Sequence, residues 1–179
     1  MNSFYELASK RQSCRNYSDR PVEKDKLMQC INTALIAPSA CNGQPWHYTL
    51  VTNRDTASKL AKTLQSGGMN RFADKTPAFA VITEKSSNAS ATIGGKLKHQ
   101  DYSSMDIGIS AANFVLQAED LGLSTCIIGW FNEKDLKSLL AIKDADRIRL
   151  VIAVGYKDEA DKFRTKKRKP QDEVLKVIE

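Results

Sequence analysis

The stretch "DIGISAANFVLQAEDLG", residues 106–122, limits the possible folds more than any other part of the chain. Wound as a helix, it places Ile107, Ile109, Phe114, Val115, Leu116 and Leu121 around most of its circumference, while Gly108, Ser110, Ala111 and Ala112 allow neighbours to approach closely. A helix apolar nearly all round belongs in a protein centre or in an oligomer interface. Ser103 with Asp106 reads as a capping box that starts it, and Gly122 as the glycine just past its end. The rest of the chain has to wrap this element.

The wrapping is mixed. Phe4, Leu7 and Ala8 give residues 3–11 an amphipathic helical pattern, and Leu27, Cys30, Ile31, Ala34 and Leu35 do the same for residues 23–36, where Pro38 ends the helix. "HYTLVT" at 47–52 reads as a strand, "TASKLAKTL" at 56–64 as a helix, and "AFAVIT" at 78–83 as a buried strand. "TCIIGWF" at 125–131 reads as another strand, followed by a helix from an Asn132 cap through Leu140 and a strand at 148–156. The serine-rich segment 84–103 has no sustained period and reads as a mobile excursion or lid. By pattern alone this is α and β in three layers with the strand order open.

No repeat or linker divides the 179 residues, so a single domain over 1–179 is expected. The run "LVIAV" at 150–154 is far shorter than the roughly 18 apolar residues of a membrane span, and the first twelve residues lack the apolar core of a signal peptide. These features predict a cytoplasmic protein without a membrane partner. Cys14, Cys30, Cys41 and Cys126 form no C-x-x-C pair and have no histidines at ligand spacing, which argues against a metal and against a disulfide scaffold. Cys30 falls on an apolar stripe and reads as core; Cys14 and Cys41 lie in loop-like stretches, where packing is the first reading and reactivity the second.

The net charge of +6 is concentrated near the C-terminus, where residues 157–169 carry seven basic and three acidic side chains. That segment fits a solvated tail, a nucleic-acid contact or the capture of a small phosphorylated ligand. No glycine-rich dinucleotide fingerprint, phosphate-binding loop, H-E-x-x-H pair or G-x-S-x-G elbow is present. Arg11, Ser13 and Arg15 alternate, so an extended backbone there turns all three to one side; Lys166 and Arg168 repeat the alternation in the tail. A planar guanidinium fork and a hydroxyl suit a phosphate. The loop "APSACNGQPWHY" at 37–48 follows the helix-ending Pro38 with small and polar residues before Gln44, Pro45 and Trp46 lead into a strand-like run, a build that a plain connector does not need.

Four stretches taken in order, "RQSCRNYSDRPV", "APSACNGQPWHY", "DIGISAANFVLQAEDLGLSTCIIG" and "VGYKDEADKFRTKKRKPQDEVL", resemble the motifs of the FMN-dependent nitroreductase-like flavoproteins and span residues 11–175. The resemblance implies an α+β, three-layer sandwich whose central, mostly antiparallel sheet is flanked by helices, in an obligate homodimer with exchanged terminal segments and FMN in the interface. It implies that Arg11 and Ser13 hold the FMN phosphate, completed by Lys166 and Arg168, with Gln12 beside them and Arg15 near the ribityl chain and the N1/O2 side of the flavin. It brings Pro38, Ser39 and Ala40 to the ring edge, Asn42 to the flavin of the partner, and the Ile128 and Gly129 backbone against ring or phosphate. Arg15 would then stabilise the negative charge that reduction leaves around N1.

Two positions depart from the pattern. Gln12 stands where the family motif has a second arginine, and Tyr17 where it has phenylalanine. The implied activity is a ping-pong oxidoreductase using NADH or NADPH and a small-molecule acceptor such as a nitroaromatic or quinone, with no nucleic-acid partner. A different flavin reaction (dehydrogenation, dehalogenation or flavin breakdown) and a non-enzymatic module binding nucleic acid or an acidic partner are the alternatives.

Overall fold

The structure, a computed structural model, describes residues 3–85 and 99–179. In chain order the elements are α1 (Phe4–Lys10), α2 (Lys24–Leu35), β1 (Trp46–Val51), α3 (Arg54–Leu64), β2 (Ala78–Glu84), α4 (Tyr102–Asp120), β3 (Ser124–Ile128), α5 (Glu133–Leu140), β4 (Arg147–Gly155) and α6 (Gln171–Val174). The four strands form one sheet in the order β1-β2-β4-β3, and every pairing in it is antiparallel.

Side-chain alternation divides the core into two. Ala78, Ala80 and Ile82 of β2, with Ile152 and Val154 of β4, face Leu27, Cys30, Ile31 and Ala34 of α2 and Ile107, Ala111, Phe114, Val115 and Ala118 of α4. Phe79, Val81, Val151 and Ala153 face the other way, onto Ala57, Leu60, Ala61 and Leu64 of α3 and Leu136 of α5. The sheet is thus covered on both faces, which is why the inner strand β2 reads as a continuous apolar run. The α+β, three-layer, antiparallel architecture implied by the sequence is the one observed. Cys30 and Cys14 are core residues at 0% and 1% exposure, and burial pushes both thiols up to about 12.

The central helix departs from expectation in two respects. Its N-cap is Asp101, whose carboxylate accepts from the Ser104 N–H at 3.0 Å and from the Ser104 hydroxyl, bonds that hold this carboxyl below its usual range. The Ser103–Asp106 capping box does not form, because helix geometry has already begun at Tyr102 and Asp106 is buried in the body of the helix. Nor is the helix buried all round: Met105 and Ile109 keep 51% and 41% of their surface exposed, with Gly108 and Ala112 beside them. Phe4 and Tyr5 of α1 are likewise open, at 72% and 79%.

β3 stops at Ile128, three residues short of the expected run. Gly129–Phe131 leave the sheet because Trp130 is held outward: its indole N–H donates to the Ser66 carbonyl at 2.8 Å, and its own carbonyl accepts from Asn70 Nδ2 at 3.1 Å. Asn132 then caps α5 as expected, accepting from the Asp135 N–H. Of the expected excursion at 84–103, residues 86–98 lie outside the described residues, Glu84 closes β2 and Tyr102 opens α4. Among the described residues no helix is long and apolar enough to cross a membrane, and no group of side chains could hold a metal ion.

Candidate cofactor site

The arm that follows α1 is laid along β3. Ser13 pairs with Thr125 in a parallel bridge, the Cys14 N–H donates to the Thr125 carbonyl at 2.9 Å, and Tyr17 pairs antiparallel with Lys157. Burial along the arm alternates only in part, since Gln12 is half-buried like its neighbours and Tyr17 turns inward although it shares the parity of Arg15. Cys14 and Tyr17 enter the core, whereas Arg11 and Ser13 are half-buried and Arg15 is exposed. The Tyr17 hydroxyl finds the Ala153 carbonyl at 3.3 Å, so a tyrosine is accommodated without an orphaned polar group. Its ring lies so close to Gly155 that a Cβ there would come within 2.7 Å of it.

The arm and β3 together form a graded track. Ser13 sits opposite Thr125, Arg15 exerts its charge on Cys126 one residue on, and Ile128 and Gly129 close the strand. At about 3.3 Å per residue, Thr125 to Gly129 is roughly 13 Å. Cys126 is buried among these groups; burial raises its thiol pKa, opposed by the Arg15 charge and a hydrogen bond with Ser13. Ile128 is buried, while Gly129 is exposed and a Cβ built there would meet nothing within 4 Å. Among the described residues nothing therefore explains a glycine at 129 or stands in front of its backbone.

Positive charge accumulates at one end of the track. Lys166 Nζ donates to the Ala8 carbonyl at 3.0 Å and to the Ser9 carbonyl, where it meets the negative end of α1. Its pKa is lowered by loss of water and by the charges of Arg11 and Arg168, with Glu119 opposing. Glu119, near the C-terminus of α4, has its own pKa raised by burial and feels the cations Arg11, Lys157, Lys166 and Lys10. Arg11, Lys166 and Arg168 are thus brought together as the sequence predicts. Gln12, expected among the cofactor contacts, instead has its amide on the tail backbone: Nε2 donates to the Lys162 carbonyl at 3.3 Å, and Oε1 accepts from the Arg164 N–H at 3.0 Å.

The loop after α2 lies elsewhere. The Ala40 N–H donates to both carboxylate oxygens of Asp106, at 3.2 and 3.1 Å, and Trp46 is buried against the α2–α4 core, which anchors the loop from its far end. Cys41, Asn42 and Gln44 have φ of 50°, 52° and 45°, left-handed values that non-glycine residues seldom adopt. Side chains hold this shape: Ser39 Oγ accepts from the Gln44 N–H at 3.1 Å, and Gln44 Nε2 donates to Asn42 Oδ1 at 3.1 Å. Asp106, which contacts this loop, and Glu119, beside the cation cluster, are 13 residues apart on α4, about 20 Å at 1.5 Å per residue. One chain therefore keeps Pro38, Ser39, Ala40 and Asn42 at the opposite end of its central helix from Arg11, Lys166 and Arg168.

Three participants escaped sequence reasoning. Asp106 looked like half of a capping box, Arg164 looked like one more tail cation, and Asn70 carried no signal beyond its Asn-Arg turn composition. Asn70 has φ 51° and ties the Leu64 carbonyl to the Trp130 carbonyl, so it shapes the loop directly after Gly129.

Known proteins share this fold and sequence pattern. A protein of Archaeoglobus fulgidus, provisionally named as an NADH dehydrogenase/NAD(P)H nitroreductase, is 28% identical over 97% of this chain and 97% of its own length. The human iodotyrosine deiodinase 1 is 24% identical over 98% of this chain and 68% of its own. A solved structure of an FMN-dependent nitroreductase from Clostridium difficile superposes with a TM-score of 0.76 at 26% identity, covering 94% of this chain and 96% of that one. The model of the Nitroreductase family matches residues 8–68 and 65–156, the region that carries the arm, the loop, the central helix and β3, and so this chain belongs to that family and is an oxidoreductase.

Proposed function

We propose that this protein, a single domain over residues 1–179, binds FMN and transfers electrons from NADH or NADPH to a small-molecule acceptor of the nitroaromatic or quinone class, as a cytoplasmic homodimer. The residues fit the cofactor. Arg11, Lys166 and Arg168 gather positive charge, with Glu119 as the opposing charge at Lys166, Ser13 adds a hydroxyl beside them, and from there the arm and β3 lead to the open backbone of Gly129. A phosphate at one end and a planar ring at the other match that sequence of groups. This continuity from cation cluster to open glycine is the observation that carries the proposal.

FMN supplies the hydride chemistry when bound. Arg11, Ser13, Lys166 and Arg168 hold the phosphate. Arg15 places a fixed cation midway along the track, where it favours negative charge on the ring. Ile128, its side chain in the core, and Gly129, which has none, present backbone and keep one face accessible to nicotinamide and acceptor in turn. Pro38, Ser39, Ala40 and Asn42 serve the cofactor of the second subunit, a role supported by their distance along α4 from the chain's own cation cluster. Met105, Ile109, Phe4 and Tyr5 are exposed apolar side chains suited to that subunit contact.

Two of the tail's cations have partners within the chain, Lys166 on α1 and Arg164 on Asp161. The likeness to a deiodinase keeps dehalogenation as a second reading, with the same cofactor and a different acceptor. Titration with FMN followed in the visible spectrum, then anaerobic reduction with NADH and NADPH and reoxidation by nitroaromatics, quinones and iodotyrosine, tests the assignment. Protein that takes up no FMN refutes it, and a solution mass of one chain refutes the dimer.

A further inference from the structure

Gln12 is held by two bonds that only a carboxamide can make together. Its Nε2 donates to the carbonyl of Lys162 and its Oε1 accepts from the N–H of Arg164, 150 and 152 residues away along the chain. Bonding the carbonyl of one residue and the N–H two residues on is what a strand residue does with a parallel neighbour, so the side chain acts as one residue of added strand beside Phe163. An arginine has donors and no acceptor, and a carboxylate acceptors and no donor; either would leave one of the two backbone groups unmatched.

The same stretch of tail is fixed at two more points. Arg164 Nη1 bonds Asp161 Oδ1 at 2.8 Å, and its Nη2 donates to the Ser13 carbonyl. Two residues further on, Lys166 reaches the Ala8 and Ser9 carbonyls at the end of α1. From Lys162 to Lys166 the tail is in no helix or strand, so its placement rests on these side-chain bonds. The register set at 162–164 therefore decides where the Lys166 ammonium stands.

We propose that Gln12 is a positioning residue: it clamps the tail in register so that Lys166 and Arg168 reach the anion site formed with Arg11 and Ser13. The glutamine in place of arginine has thus exchanged a cation for a splint that delivers two others. This inference rests on the FMN reading above.

The experiment uses the full-length chain freed of flavin, with Gln12→Met as a near-isosteric variant unable to make either bond and Gln12→Ala as a second. Loss of two hydrogen bonds should raise the fraction of detached tail, and with it the rate of tryptic cleavage at 162–169, by about threefold to tenfold. The dissociation constant for FMN should rise by a similar factor while that for riboflavin, which has no phosphate, stays unchanged. In a Lys166→Ala background the Gln12 effect on FMN should shrink towards none, because the clamp acts through the tail. Unchanged cleavage rates overturn the clamp. Equal losses for FMN and riboflavin, or additivity with Lys166→Ala, overturn the positioning role. A wild type that binds neither ligand refutes the FMN reading and the phosphate part of this proposal, while the cleavage rates still decide the clamp.

Discussion

Replacing Asp106 tests whether the left-handed loop is held by the central helix. Among the described residues the Ala40 N–H has no acceptor other than the Asp106 carboxylate, which it approaches at 3.1 and 3.2 Å, and Asp106 is only 6% exposed. A hydrogen bond to a charged group contributes about 1.5–3 kcal/mol. Asp106→Ala removes it and leaves a partly buried N–H facing an apolar methyl. Behind that bond stand Cys41, Asn42 and Gln44, whose positive φ angles persist only while the surroundings enforce them. The expected loss is about 2 kcal/mol, which for a chain of this size lowers Tm by about 4–8 °C. Asp106→Asn keeps an acceptor and should lose roughly half as much. Urea denaturation measures the difference directly. Because the loop meets the ring rather than the phosphate in the proposed dimer, Asp106→Ala should weaken FMN and riboflavin binding by the same factor. Stability within about 0.5 kcal/mol of wild type, the range of ordinary surface substitutions, would refute the reasoning.

Further outcomes follow from the same geometry. Gly155→Ala puts a Cβ 2.7 Å from Tyr17 Cδ1 and 2.8 Å from the Pro77 ring, a clash between two rigid rings that should cost about 1–3 kcal/mol in urea unfolding. Arg11→Ala should weaken FMN binding more than it alters the flavin reduction potential, and Arg15→Ala should lower the potential more than the affinity; redox titration and FMN titration separate the two, and equal effects from both would cancel the division of labour. Glu23 is held at a pKa of about 2, chiefly by the Tyr156 hydroxyl at 2.6 Å and also by Arg20. A depressed carboxylate stabilises the fold above its unfolded pKa, and that stabilisation disappears as pH falls from about 4.5 towards 2. Tyr156→Phe should therefore flatten the acid limb of stability between those values, and an unchanged limb would show that the Tyr156 bond does not set the shift.

Element order was legible because each element matched its own period. The stripe of Leu27, Cys30, Ile31 and Ala34, and the uninterrupted run of β2, are local consequences of which face is buried, and both were readable from spacing alone. Trp46 was legible as an anchor for the same reason. The first turn of α4 was not, because two acidic residues compete for it: Ser103–Asp106 has the spacing of a capping box, yet Asp101 caps first and Asp106 is left free to reach Ala40. The Gln12 clamp and the Asn70–Trp130 link join residues 150 and 60 positions apart, and nothing in a local pattern registers a partner so remote. Strand order was invisible for a related reason. Pairing β2 with β4 brings residues about 70 apart in the chain together, and alternation says which face is buried without saying which strand lies beside which.

The site residues divide along α4 in a way that gives the exposed stripe a purpose. The cations gather where Glu119 ends the helix and the loop gathers near Asp106 towards its start, so in the proposed dimer α4 is a spacer of about 20 Å between two halves of the binding surface. In the proposed dimer, a second chain laid antiparallel along the exposed stripe that runs from Met105 and Ile109 to Ala112, with the two-fold axis near the middle of α4, would bring its own loop to the first chain's cations and complete both sites at once. Gly108, between those apolar residues, and Ala112, three residues past Ile109, would admit the approach of that second chain, since among the described residues a Cβ on Gly108 meets nothing within 4 Å. Substituting Gly108 by leucine should consequently leave the folded protomer intact while reducing both the solution mass and the flavin content of the protein. A variant that stays dimeric with full flavin would place the subunit contact on another face.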